Sequence, residues 1–260
     1  MKQIIRDDWK RFLPNLLMFA MTLVILELFV GFGILSKNDK QVTTAISLFF
    51  FIMLIMLAMM IALAGKIFLG DLRNPGILQA WKKEERSLVS VVVCKTTVYT
   101  CLLYLLELLY AGVLVLDVLW IYGAFPNERK ALDELFAKLS GKESGFEGIH
   151  ATQLLEYLAI AFSAVALAYF TITMAYNIFT KSRYVGILAG VFYVLLAYFF
   201  IRVHLEIVKN ISPASVQSLA GVAVQAVIGA ILLAVTIGSV KKHQWDVQEE
   251  YKKEFNLWQM

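Results

Sequence analysis

Residues 48–64 read LFFFIMLIMLAMMIALA, a stretch without a single charged side chain. The apolar character continues on both sides, from Val42 to Leu69. A helix of about 20 apolar residues, rising about 1.5 Å per residue, crosses the roughly 30 Å hydrocarbon layer of a bilayer. The stretch therefore predicts a transmembrane helix, and it decides the fold because the same pattern recurs along the chain.

The composition of the whole chain points the same way. Of 260 residues, 60% are hydrophobic and only 17% are charged, and the mean hydropathy is +0.71, whereas a soluble domain carries about 25% charged residues. A transmembrane barrel is excluded, because its strands alternate in polarity. We predict an all-α membrane protein with one transmembrane domain over residues 1–240 and a tail over 241–260. Its six spans are Leu13–Leu35, Val42–Leu69, Thr96–Gly123, Ala151–Thr180, Tyr184–Val203 and Ala214–Val240.

Lysines and arginines are unequally divided between the two sides of this predicted bundle. The side that holds both termini, the second loop and the fourth loop carries 16 of them, and the opposite side carries 8. Basic residues accumulate on the cytoplasmic side of membrane proteins. We therefore expect both termini and the second loop in the cytoplasm, and the long third loop outside.

Three segments outside the spans have amphipathic spacing. Ile5, Trp9 and Phe12 share one face of residues 2–12, which predicts an N-terminal interfacial helix. The tail, residues 241–260, places aromatic residues among charges and predicts a further interfacial segment. In the third loop, apolar residues recur at i, i+3, i+4 and i+7, which predicts an outer-loop helix. They are Leu132, Leu135, Phe136 and Leu139.

The second loop is longer than a simple connection between two spans requires. Asn74-Pro75-Gly76 is a strong turn signal. After it, Ile77, Leu78 and Trp81 share one face of a short predicted helix. Such a helix is suited to contact a soluble partner. An interfacial helix whose charges only set the topology would show the same pattern.

The layout resembles that of ABC-2 type permeases, the membrane subunits of one class of ABC exporter. The local pattern of Asp71-Leu72, then Gly76-Ile77-Leu78, then Lys95 is similar to the one these permeases show between their second and third spans. In place of the Leu-Pro pair common in that helix, this chain has Ala80-Trp81 nearby.

The resemblance implies a division of labour between two kinds of subunit. A separate ABC ATPase would bind ATP and Mg²⁺, and it would dock on a coupling helix over residues 74–85. The chain contains no Gly-x-x-x-x-Gly-Lys-Ser/Thr phosphate loop, so we expect the ATPase activity in a partner subunit. Its three histidines lie at or beyond the predicted span ends, and it contains no Gly-x-Ser-x-Gly or His-Glu-x-x-His motif, so we expect no catalytic, cofactor or metal site in it. The implied coupling residues are Asp71, Asn74, Gly76, Leu78, Trp81, Lys82, Lys83 and Glu85.

The same resemblance implies the remaining partners. The permease would work as a homodimer in the lipid of a bacterial-type plasma membrane, with residues 2–12 as an elbow helix and without a nucleic-acid partner. Long spans rich in Met and Phe would suit an amphipathic peptide or a lipid-like substrate. We expect export of such a substrate.

Two carboxylates lie deep within predicted spans, where a charge costs at least about 2.5–3.5 kcal/mol on insertion scales. Glu27 lies in the first span and Glu107 in the third. Structurally, they would pair with tyrosine hydroxyls or with Gln225. Functionally, they would line a translocation pathway for cationic amphipathic substrates. A third alternative, a proton-coupled secondary transporter, would use either acid as its titrating group.

Small residues mark two helix faces. Gly186 and Gly190 form a Gly-x-x-x-Gly pattern in the fifth span, and Gly221 and Gly229 lie on nearly one face of the sixth. Such faces allow helices to approach closely in lipid. Packing within the chain and contact between two chains are both open, and we favour packing within the chain.

Overall fold

The computed structural model describes residues 2–74, 88–125, 134, 151–179, 184–209, 211 and 214–257. In these ranges the regular structure is helical, and six helices are long and apolar enough to cross a membrane. The prediction of an all-α, multi-pass membrane protein with six spans is confirmed at that level. The helices are α1 Lys2–Leu35, α2 Asp39–Leu72, α3 Leu88–Ala124, α4 Ala151–Ile178, α5 Val185–Val208 and α6 Ala214–Leu257.

Several helices extend beyond the predicted spans. Residues 2–12 belong to α1 without a break, so the predicted interfacial helix is not a separate element, and residues 241–257 continue α6. The backbone hydrogen bonds of a helix form whether its side chains are apolar or polar. Hydropathy therefore predicts where a helix crosses the membrane but not where the helix ends. Residues 75–87, with most of the predicted coupling helix, and the predicted outer-loop helix lie outside the described residues.

The chain divides into two compact units. The first unit comprises Met1–Ile5, Ile61–Leu103 and Thr152–Met260, and the second comprises Arg6–Met60 and Tyr104–Ala151. The boundaries cut α2 and α3, so each of these helices contributes one half to each unit.

The second unit has a core made by α1 and the adjoining halves of α2 and α3. Tyr110 closes one part of it, with its hydroxyl 2.8 Å from Met56 Sδ and its ring edge-on to Phe49. The turn between α1 and α2 is tight, and Lys37 adopts a φ of 50° there. The buried side chains of this core are Val30, Ile34, Val42, Ala45, Ile46, Val118 and Ile121.

In the first unit, α4 and α6 run parallel in a fixed register. Ser218 Oγ donates to Glu156 Oε2 at 3.0 Å, and Ser163 Oγ donates to Gln225 Oε1 at 2.7 Å. The two partners are 62 residues apart in both pairs, and the second pair lies one heptad after the first. A constant offset over a heptad is the mark of parallel helices packed along one seam. Further along it, Leu232 packs with Ala166 and Leu167.

Glycines on α6 allow this close seam. A Cβ at Gly229 would lie 2.5 Å from Phe162 Cε1 and 3.3 Å from Ser163 Cα, and a Cβ at Gly221 would collide with the carboxyl of Glu156. Packing within the chain is therefore confirmed for the glycines of the sixth span.

The glycines of the fifth span behave differently. A Cβ at Gly186 or Gly190 would meet no atom within 4 Å in the described structure. The preference for packing within the chain is wrong at these two positions. Only 11% of the most apolar window of α5 is buried, against 67% for α4. The small face of α5 is therefore open to lipid or to another chain.

The seam gives a matched pair of substitutions on one helix. We expect Gly229→Ala to destabilise the protein by about 1–3 kcal/mol, because the added methyl overpacks the contact with α4. Gly238→Ala gains the same helix propensity, about 1 kcal/mol, and its methyl would enter open space. Thermal unfolding of both variants in one detergent, followed by circular dichroism, measures the difference. Equal midpoints would contradict the close seam.

Candidate functional site

A buried ion pair joins the two helices that flank the second loop. Lys95 Nζ of α3 lies 2.8 Å from Asp71 Oδ2 of α2, and the two side chains are only 2% and 4% exposed. Asp71 is one residue before the end of α2, and Lys95 is two turns into α3. A buried charge is costly unless it is paired, so this contact fixes the distance between the two ends of the loop.

Three aromatic rings surround this joint. Phe68 lies one turn before Asp71, and Tyr99 lies one turn after Lys95. Between them stands Tyr169 of α4, which stacks on Phe68 at a centroid distance of 4.1 Å and meets Tyr99 edge-on at 6.4 Å. All three rings are almost fully buried. They hold water away from the pair, and they attach both loop-flanking helices to α4. We call Phe68, Asp71, Lys95, Tyr99 and Tyr169 the loop anchor.

Only part of the predicted coupling segment can be placed. Asp71 belongs to the loop anchor. Asn74 lies two residues after the end of α2, and its backbone N–H donates to the carbonyl of Asp71 at 3.3 Å. Sequence reasoning named Asp71 and Lys95 only as parts of a resemblance and missed their pairing. A lysine inside an apolar helix was the available signal, because such a residue requires a partner. The remaining coupling residues lie outside the described residues: Gly76, Leu78, Trp81, Lys82, Lys83 and Glu85.

The second unit brings two membrane carboxyl groups together. Glu27 on α1 and Asp117 on α3 are neighbours. A Cβ at Gly31, one turn after Glu27, would lie 3.4 Å from Trp120 Cη2, one turn after Asp117, and Val30 and Val118 share one buried cluster. This packing brings the two carboxyl groups within reach of each other for a hydrogen bond. Asp117 is only 3% exposed, and Glu27 Oε1 is buried without a hydrogen-bond partner among the described residues. One alternative from the sequence pairs Glu27 or Glu107 with a tyrosine or with Gln225; the structure places Asp117 beside Glu27, and Gln225 Oε1 accepts a hydrogen bond from Ser163. Two like charges 4 Å apart repel by about 4 kcal/mol at an effective dielectric of 20.

The second predicted membrane acid lies apart from this contact. Glu107 is ten residues before Asp117 on α3, which is about 15 Å along the helix. Its Oε2 is buried without a hydrogen-bond partner among the described residues. The structure therefore does not unite Glu27 and Glu107 in one cluster, and the acid beside Glu27 is Asp117.

A third polar cluster lies at one end of the seam between α4 and α6. Glu156 Oε1 is 3.6 Å from His204 Nε2 of α5, in addition to its hydrogen bond from Ser218. Gly221 leaves the space in which the carboxyl and the imidazole meet. Among the described residues, no group of three or more His, Cys, Asp or Glu side chains could hold a metal ion. The contact links α5 to the seam.

No family model, no curated protein and no solved structure matches the chain. A function is therefore inferred from the chain's own side chains. Three features are available for that inference: the loop anchor, the Glu27 and Asp117 contact, and the polar end of the seam. The loop anchor stands out, because it is the one that borders a segment already singled out by its turn signal and its charges.

The ion pair of the loop anchor can be tested by a double-substitution cycle. We expect Asp71→Asn or Lys95→Met alone to destabilise the protein by about 3–5 kcal/mol, because each leaves a buried charge without its counter-charge. The double variant should recover most of that loss. Denaturant or thermal unfolding of all four proteins measures the coupling.

A matched control for this cycle is the exposed ion pair of Glu206 with Lys209, whose side chains are 58% and 53% exposed. Glu206→Gln should change the stability by no more than about 1 kcal/mol. Additive effects of Asp71→Asn and Lys95→Met would contradict a coupled, buried pair.

Proposed function

We propose that the chain is the permease subunit of an ATP-driven ABC exporter of the ABC-2 type, working with a separate ATPase. The observation that carries the proposal is the loop anchor, which holds the two ends of the second loop at a fixed separation. Six helices of membrane-spanning length supply the transport domain that such a subunit requires. The resemblance of the loop sequence supports the same assignment.

The loop anchor explains how force would pass from a docked ATPase into the membrane. A partner that pushes on residues 74–85 moves the ends of α2 and α3, because the loop joins them. The ion pair makes these ends move together, and the stacking of Tyr169 on Phe68 adds α4 to the moving group. If the two ends of the loop could move independently, a displacement of the loop would not reach the spans. Because the loop anchor is buried, ion-paired and packed with aromatic rings, the displacement would be transmitted to α2, α3 and α4.

The remaining assignments follow from this proposal. The ATPase would supply ATP and Mg²⁺, and this chain would bind the ATPase through Lys82, Lys83 and the residues around them. Two copies would form the exporter in a bacterial-type plasma membrane, with both termini in the cytoplasm. The substrate class that suits the apolar, Met-rich spans is an amphipathic peptide or a lipid-like molecule.

Charge reversal in the loop tests the docking. We expect the triple variant Lys82→Glu, Lys83→Glu and Arg86→Glu to lose at least tenfold in capture of the partner ATPase from solubilised membranes, because it places acids where the partner meets bases. The matched control reverses Arg129, Lys130 and Lys138 in the third loop, and it should capture the ATPase as the unchanged chain does. Quantitative pull-down with mass spectrometry measures both.

Two results would count against the proposal. One is a loop variant that captures and stimulates its ATPase normally. The other is an equal loss in the third-loop control, since the predicted orientation places that loop on the opposite side of the membrane. Either result would remove the second loop from the role of docking segment.

A second function, proton-coupled secondary transport, is favoured by one specific observation, the contact between Glu27 and Asp117. Such a transporter needs a membrane acid that can gain and lose a proton. A proton-coupled transporter would need no ATPase, and it would not need the loop anchor to transmit movement from one.

The energy source separates the two functions. The probe is a fluorescently labelled cationic amphipathic peptide, and the assay follows its uptake into inside-out vesicles that contain the chain. An ABC exporter predicts uptake that requires ATP and the ATPase and persists when an uncoupler removes the proton gradient. A proton-coupled transporter predicts uptake that the uncoupler and Glu27→Gln both abolish and that needs no ATP.

A further inference from the structure

Three helix segments of the second unit contain no basic side chain. Residues 12–35 of α1 and 104–124 of α3 carry Glu27, Glu107 and Asp117 and no lysine, arginine or histidine, and residues 41–60 of α2 carry no charged side chain. Glu27 and Asp117 face each other in this environment. No basic side chain of these segments can therefore balance the pair.

The immediate surroundings of the pair are apolar. Val30 lies one turn from Glu27, and Val118 and Ile121 flank Asp117, and all three are fully buried members of one core cluster. The described titratable groups on α1, α2 and α3 of this unit lie elsewhere along their helices or are neutral phenols. They are Arg6, Asp8, Lys10, Arg11, Lys37, Lys40, Tyr104, Glu107, Tyr110 and Tyr122. Lys37, at the end of α1, is ten residues from Glu27, about 15 Å along the helix.

An ionised carboxylate accepts hydrogen bonds and donates none. Two carboxyl groups in hydrogen-bonding contact therefore require a proton, and a buried pair of carboxylates cannot both ionise without a counter-charge. We propose that Glu27 and Asp117 form a binding site for one exchangeable proton, in which the protonated carboxyl donates to the ionised one. Binding adds one proton and one positive charge to the pair, and release returns them to solvent.

The pair lies near the ends of its two helices. Asp117 is seven residues from the end of α3 at Ala124, about 10 Å, and Glu27 is eight residues from the end of α1 at Leu35, about 12 Å. Both ends lie on the same side of the predicted bundle, the outer one. A metal cation is a poorer fit than a proton, because hard cations take six or more oxygen ligands, and the two carboxyl groups offer four. The inference requires neither of the two transport functions.

Infrared spectroscopy of the full chain in lipid nanodiscs tests the site, since a protonated carboxyl group has a C=O stretching band separate from those of carboxylates. We expect the unchanged chain at neutral pH to show a band that the double variant Glu27→Gln, Asp117→Asn lacks, and that disappears at alkaline pH. Each single variant should keep a band that disappears at a lower pH than the band of the unchanged chain, because the remaining buried acid has lost its neighbouring like charge.

Two control variants isolate the signal. Glu206→Gln removes an exposed carboxylate that pairs with Lys209, and it should leave the band unchanged. Glu107→Gln identifies any separate contribution of the other membrane acid. The proposal is overturned if no band separates the unchanged chain from the double variant. It is also overturned if the band of each single variant disappears at the same pH as that of the unchanged chain, since the carboxyl groups would then titrate independently.

A second test uses only the unchanged chain, so it remains valid if the variants fail to fold. A hydrophobic carbodiimide reacts with protonated carboxyl groups in apolar surroundings, and peptide mass spectrometry locates the adduct. We expect labelling of Glu27 or Asp117 at neutral pH that falls as the pH rises, with Glu206 unlabelled. An absence of label on both acids would refute the site. Protection by sodium but not by potassium at constant pH would show a metal cation as the ligand and would equally refute the proton.

Discussion

A charge enclosed by apolar side chains must meet an opposite charge or lose its ionisation, and this constraint shapes the described structure most clearly at Asp71 and Lys95. Their contact at 2.8 Å joins the end of α2 to the beginning of α3. The neighbouring ring of Phe68 can then stack on Tyr169, which ties α4 to the same point. One electrostatic requirement therefore sets the arrangement of three helices at their shared end.

The three polar clusters meet that constraint in different ways, and the differences bear on function. Lys95 neutralises Asp71 permanently, which suits a mechanical joint. Glu156 has a hydroxyl donor in Ser218 and an imidazole in His204, so its neighbourhood is polar and only partly buried. Glu27 has another acid as its neighbour, so in our proposal an exchangeable proton supplies the positive charge that the two acids lack. In the two proposals, the mechanical role and the proton-binding role therefore fall to separate parts of the chain.

The sequence predicts the spans well and the contacts between them poorly. Hydropathy depends on each segment alone, so all six spans are found, whereas helix ends such as that of α6 at Leu257 lie beyond the apolar residues. The partner of Glu27 could not be predicted, because Asp117 is 90 residues away and helix pairing leaves no local mark. The glycine faces show the same limit. Gly229 and Gly186 look alike in sequence, and only the packed structure shows that a neighbour fills one face and not the other.

The loop anchor also makes the packing of the membrane helices independent of the sequence of the loop. Because Asp71 and Lys95 already hold its two ends, the chain between them contributes little to the relative placement of α2 and α3. We therefore expect insertions and exchanges between residues 75 and 87 to leave the packing of α2, α3 and α4 intact. Under the proposed function, the partner recognised by this segment can change in evolution while the spans keep their contacts.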